Sequence, residues 1–127
     1  MSLATIFQNV PNQDYFSLFK GHQPDYKKVA EELDFSVKDV ASATGVPVSS
    51  IRYDHKMPKE VAKRFVEWAN LLNLVAQYFE GDIHKAMLWF TLSNPLLGNL
   101  PPRLMIRAGR YNKLLKFISN SLSENKR

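Results

Sequence analysis

Residues 59–79 read KEVAKRFVEWANLLNLVAQYF. In this stretch Val61, Phe65, Trp68 or Ala69, Leu72, Val75 or Ala76 and Phe79 recur at the three-to-four residue interval of one helix face. Leu71, Leu74 and Tyr78 widen that face well beyond a single seam. The spacing predicts one long helix, introduced by Met57-Pro58 and stopped by Gly81. A helix apolar around so much of its circumference is central to a core or packs on a second subunit. The aromatic residues Tyr15, Phe16 and Phe19, together with this wide face, lead us to expect a homodimer.

Upstream, Asp14 to Lys20, closed by Gly21, reads as a short aromatic helix within an N-terminal segment, residues 1–24. Pro24 and Asp25 open a helix that turns Val29, Ala30 and Leu33 to one side. Ser36-x-x-Asp39 is a capping-box pattern with Asp in place of Glu, followed by Val37, Val40 and Ala41 and a left-handed stop at Gly45. Pro47 then lies in a turn, Ser49 is positioned to cap, and a second short helix is expected from Ile51 to about Asp54. No segment alternates apolar and polar residues over several positions, so the chain reads as all-α.

Ser36 to Lys56 has the layout of a helix-turn-helix. A small residue, Ala41, stands where two helices cross closely, Gly45 follows four positions later at the turn, and Ile51 points back toward the core, with Val40 and Val46 beside it. On that reading Ser49, Ser50, Arg52, Tyr53 and Lys56 lie on the outer side of a recognition helix. Arg52 would meet guanine and the serines would meet phosphates or base edges of operator DNA. Lys59, Lys63 and Arg64 would touch the flanking backbone. The charge over Ser49 to Glu67 is only +2, and Asp54 sits beside the reading surface. Both are thin support for a phosphate-binding face.

The chain has 127 residues with 45% hydrophobic residues and no Cys. This is enough apolar material for a real core, and it excludes disulfides, a zinc finger and thiol chemistry. A reducing, cytoplasmic setting is expected. No apolar run reaches the ~18 residues of a membrane span, and Met1 to Val10 lacks the pattern of an export signal. Net charge is +5, but Met1 to Pro102 carries −1 and Arg103 to Arg127 carries +6. A basic end of this kind attracts phosphate or an acidic protein surface, or is a solvated face that aids solubility.

After Gly81, Asp82 is placed to cap a helix with Ile83, Met87 and Phe90 inward. Asn94 to Pro102 is a compact turn region, followed by helices from Arg103 to Ala108 and from Arg110 to about Leu122, with Gly109 between them and a frayed tail from Ser123. The stretch contains Ala86-Met-Leu-Trp-Phe-Thr-Leu-Ser-Asn-Pro-Leu-Leu-Gly98, then Pro102-x-x-Met105-Ile106-x-x-Gly109, then Leu114-Leu115 and Ile118. It resembles the C-terminal domain of the Xre/MbcA/ParS antitoxin family, whose pattern is a tryptophan helix, Asn-x-x-Leu-Gly, a proline helix start, two apolar residues, a glycine and a closing amphipathic helix. The likeness runs from about Tyr26 to Leu122. Asn99 departs from the usual second glycine, Arg103 and Leu104 from an apolar-acidic pair, and Pro101 from a capping Ser or Thr.

The resemblance implies a helix-turn-helix lobe (residues 25–80) fused to a small helical toxin-binding lobe (residues 81–127). It implies an antitoxin of a type II toxin-antitoxin system that blocks a RES-domain, NAD-depleting toxin and represses its own operon. Asn94, Leu97, Gly98, Arg103, Arg107, Gly109, Arg110 and Lys113 are the toxin-binding candidates it points to. We expect the basic run Arg103, Arg107, Arg110, Lys113 and Lys116 to face the toxin. Alternatives are a protein-only inhibitor with a vestigial helix-turn-helix, and a stand-alone transcription regulator. His22, His55 and His84 lack partners at metal-ligand spacing, Asp82-x-His84 is a cap beside a surface histidine, and no glycine-rich phosphate loop is present. Neither an enzyme nor a cofactor or metal is expected.

Overall fold

The computed structural model describes residues 11–125, with side chains through Ser121. The reading of Met1 to Val10 as lacking an export signal lies outside the described residues. Six α-helices are described: α1 (Tyr26–Glu32), α2 (Val37–Thr44), α3 (Lys59–Tyr78), α4 (Ile83–Thr91), α5 (Pro102–Arg107) and α6 (Tyr111–Asn125). A two-residue antiparallel hairpin, β1 (Phe19–Lys20) with β2 (Gln23–Pro24), precedes them. No described helix is long and apolar enough to cross a membrane.

Local chemistry sets most boundaries. Asp25 caps α1 by accepting from the Lys28 N–H, and Asp82 caps α4 through the Lys85 N–H. At α2 the capping box is complete: Ser36 Oγ accepts from the Asp39 N–H, and Asp39 accepts from the Ser36 N–H at 2.9 Å. Gly45 stops α2 at φ 74°, a conformation that costs a residue without Cβ little. Pro102 occupies the first turn of α5, where its missing N–H removes no helical bond. The backbone of α6 stays helical through Asn125, past Ser123 where fraying was expected.

One contiguous core takes Val29 and Ala30 from α1, Val40 from α2, Phe65 and Trp68 from α3, Phe90 from α4, Ile106 from α5 and Leu114 from α6. Residues 25–80 and 81–127 therefore share a single interior. The long helix supplies most of it: Val61, Phe65, Trp68, Ala69, Leu71, Leu72, Leu74, Val75 and Ala76 are all buried within this one chain. Phe16 is buried as well, and Tyr15 and Phe19 pack against the core. Most of the apolar surface from which a homodimer was expected is thus covered within this one chain, with Tyr78 of that face 42% exposed. The wide apolar arc of α3 is explained by its having helices on several sides.

Asp14 to Lys20 is not a helix. Asp14 accepts from the Leu18 N–H and the Phe19 N–H, both at 2.9 Å, and Ser17 adopts φ 56°. A side chain that captures two downstream amides in this way competes directly with helical hydrogen bonding. The resulting loop is fastened to α3 by Asn73, whose Oδ1 accepts from the Phe16 N–H at 3.0 Å while its Nδ2 donates to Asp14 at 2.9 Å. Partial burial pushes the Asp14 carboxyl up. The Leu18 N–H, the Asn73 amide, the Phe19 N–H and the Lys28 charge together outweigh it and hold the group below its ordinary value of 3.8.

A lowered native value stabilises the fold above the ordinary carboxylate range, and that contribution is lost as pH falls through the native value. Thermal melts of the wild type should therefore lose stability on acidification below pH ~4 more steeply than melts of Asp14→Asn. Equal slopes would show that the carboxylate is not what ties the loop.

Candidate functional site

Two stretches carry the candidate residues. The first follows α2. Thr44 Oγ1 donates to the Val40 carbonyl at 2.8 Å, Gly45 reverses the chain, and Ala41 is buried as the close helix crossing requires. Beyond Pro47 the expected second helix is absent. Val48–Ser50 makes one 3-10 turn, Ile51 is extended at φ −79° and ψ 119°, and residues 51–58 contain no helix. Only ten residues separate Pro47 from Pro58, and a proline biases the residue before it away from helix. Asp54 accepts from the Lys56 N–H at 2.8 Å, which closes a local turn in place of a helical one. That bond, helped by the charges of Arg52 and His55 and opposed by desolvation, holds the Asp54 carboxyl below its ordinary value.

The structure accordingly scatters the five DNA-contact candidates along a connection. Ser49 and Lys56 are exposed, Ser50 is half-buried, and Arg52 lies 3.5 Å from Asp54. Tyr53 rests edge-on against Phe65 with ring centroids 6.0 Å apart, and burial pushes its hydroxyl up. No helix presents these side chains as a single reading face. Beside them a recess of about 590 Å³ opens between the hairpin, the start of α1 and residues 53–59, with Lys20, Lys27, His55 and Lys59 on its walls.

The second stretch runs from α4 into α5. Ala86 and Phe90, one turn apart, point into the core. Ile83 is 45% exposed, whereas Met87 packs half-buried against the core beside Ala86 and Phe90, so of the three residues expected inward only Ile83 turns out. After Leu92, Asn94 organises the turn region. Its Oδ1 accepts from the Leu96 N–H at 2.9 Å, its carbonyl accepts from the Leu97 and Asn99 N–H groups, and its own N–H donates to the Leu100 carbonyl. Gly98 and Asn99 are left-handed in succession, at φ 70° and 66°. The asparagine of Asn99 is among the few residue types other than glycine that readily adopt this region.

The eight toxin-binding candidates have different fates. Asn94 and Gly98 shape the turn, and Leu97 packs against the core. Arg103 donates to the Leu33 carbonyl at 3.3 Å, and Arg107 lies 3.8 Å from Asp39. Both arginines thus reach toward the α1–α2 corner, and the Arg107 side chain stays 43% exposed there. Gly109, at φ 77°, ends α5 where a Cβ would stand 3.8 Å from the Ala43 carbonyl. Arg110 and Lys113 are exposed, as is Lys116.

Sequence reasoning passed over the side chains that the structure leaves most conspicuously uncovered. Leu88 is 44%, Leu92 60%, Leu96 78% and Leu100 40% exposed. With Tyr78 and Ile83 they make six of the nine exposed large apolar residues among the described residues, all within positions 78–100. Leu88 and Leu92, one turn apart and opposite Ala86 and Phe90, were the available signal: an amphipathic helix with leucines on its wrong side. Among the described residues no group of three or more His, Asp or Glu is placed to hold a metal ion. Comparisons with known families, curated proteins and solved structures give no match.

Proposed function

We propose that the chain is an antitoxin that binds and blocks a RES-domain, NAD-depleting toxin through residues 81–127. The observation that carries this reading is the exposed leucine run of positions 88–100, set on the Asn94–Asn99 turn that matches the family's Asn-x-x-Leu-Gly signature. Exposed large apolar side chains concentrated in one segment of an ordered surface are a mark of protein-binding sites. The turn needs no ordering on binding, because four hydrogen bonds to Asn94 already fix it.

The missing helix after Pro47 favours the protein-only version of this function over one that also represses an operon. The operator-binding version and the stand-alone regulator then predict salt-sensitive DNA binding by Arg52 and Lys56.

Co-expression with a RES-domain protein, such as the product of an adjoining gene, tests the reading. A stable complex should form and toxin activity should fall. The pair Leu92→Asp with Leu96→Asp should weaken the complex about 100-fold or more, since each buried leucine contributes about 1.5–3 kcal/mol, while the thermal melt stays unchanged. No complex with the wild-type chain, together with tight binding to the upstream DNA, would replace the antitoxin by the regulator.

A further inference from the structure

We infer that the leucine ridge takes a protein surface whose apolar patch is rimmed by carboxylates; this deepens the antitoxin reading and rests on it. On α4 the outer side, opposite Ala86 and Phe90, carries His84 and Leu88 with Lys85 at its margin, and Leu92 follows as the extended residue that caps the helix. The ridge continues through Leu96 to Leu100, which lies across the turn from Asn94.

From Ile83 to Ser123 the chain has no Asp or Glu, while it has Lys85, Arg103, Arg107, Arg110, Lys113 and Lys116. Two of these are engaged within the fold, Arg103 with the Leu33 carbonyl and Arg107 with Asp39. Lys85, Arg110, Lys113 and Lys116 have no carboxylate partner among the described residues. With Asp82 capping the start of α4 and no carboxylate in the sequence from there to Ser123, the local charge around Lys85 and the ridge disfavours a basic partner and favours an acidic one.

An anionic membrane shares the charge requirement but fits the ridge less well. The turn between Leu92 and Leu100 exposes Ser93, Gly98 and Asn99, and their polar groups would lose water without gaining partners in lipid.

The test uses the full-length, isotope-labelled chain and two helical peptides of about 18 residues. The peptides share one leucine stripe and differ only in having glutamate or lysine on its flanks. The glutamate peptide should shift the amides of residues 84–100 and bind about tenfold more tightly at low salt, with the gap closing as salt rises. Lys85→Glu should reduce its affinity several-fold, and Leu92→Asp with Leu96→Asp should abolish binding. Equal affinity for both peptides, shifts elsewhere, or capture by phosphatidylserine-containing vesicles without a peptide response would each overturn the inference.

The two proposals separate cleanly. A toxin complex that survives Lys85→Glu and Leu96→Asp leaves the antitoxin standing and removes the ridge. Docking of the glutamate peptide without any toxin complex does the reverse.

Discussion

Replacing Trp68 by Ala is expected to cost about 3–5 kcal/mol, the range for removing a buried aromatic from a core. For a chain of this size that lowers the melting temperature by roughly 10–20 °C. Trp68 is 1% exposed and sits at the junction of a chain of rings. Phe35 meets it edge-on at 5.8 Å and Phe65 lies 4.9 Å away. Tyr26 and Tyr53 approach Phe65 in turn at 5.2 and 6.0 Å. The substitution removes contact area and also the ring that links Phe35, at the α1–α2 corner, to Phe65 of α3. Trp89, half-buried and edge-on to Phe90 at 5.1 Å, serves as the control. Trp89→Ala should cost less than half as much in urea denaturation, and the opposite ranking would place the energetic centre outside α3.

Asn73→Ala should be the second most damaging of these changes, at about 2–4 kcal/mol. Asn73 is 1% exposed and is the buried polar residue among those described. Its removal leaves the Phe16 N–H without an acceptor in the interior, a loss of about 1–3 kcal/mol before any cavity is counted. It also releases Asp14, whose carboxyl should titrate higher once the Asn73 amide is gone. Hydrogen exchange should quicken in residues 14–19 more than in α5 and α6. Asn73→Asp should be no rescue, because it sets a second carboxylate 2.9 Å from the first. Unchanged exchange in the loop would show that the loop is held by Phe16 and Leu18 packing alone.

Where the signal was covalent or strictly local, the sequence could be read to within a residue or two. Ser36 with Asp39, Gly45, Pro102 and the periodicity of Val61 to Ala76 each express a rule that holds over one or two helical turns, and each element formed as expected. The expectations that failed depended on competition. Asp14 and Asp54 each divert backbone amides into side-chain turns, and so helices expected over 14–20 and 51–54 give way to loops. A carboxylate tips the outcome at each place, aided at 51–54 by the flanking Pro47 and Pro58, and propensity averaged over a window cannot see it.

The site shows the same division. The Asn94–Asn99 turn was legible because its residue types are dictated by φ. The destinations of Arg103 and Arg107 were not, because they depend on α5 lying against the α1–α2 corner, a contact between positions about 70 residues apart. The exposed leucines were hidden for a different reason. A leucine in a helix is read as core unless the opposite face is already known to be filled.

The single interior shared by all six helices has a consequence for how long such a molecule persists in a cell. With one interior, the chain is expected to unfold as one cooperative unit, and a degradation machine would gain nothing by waiting for one end to open alone. Lifetime is then governed by rare whole-molecule opening, which any partner seated on the leucine ridge suppresses in proportion to its occupancy. If the proposed partner binds there, clearance of the free protein and its protection in the complex would be two readings of one equilibrium, and the abundance of the protein would report how much of that partner is present.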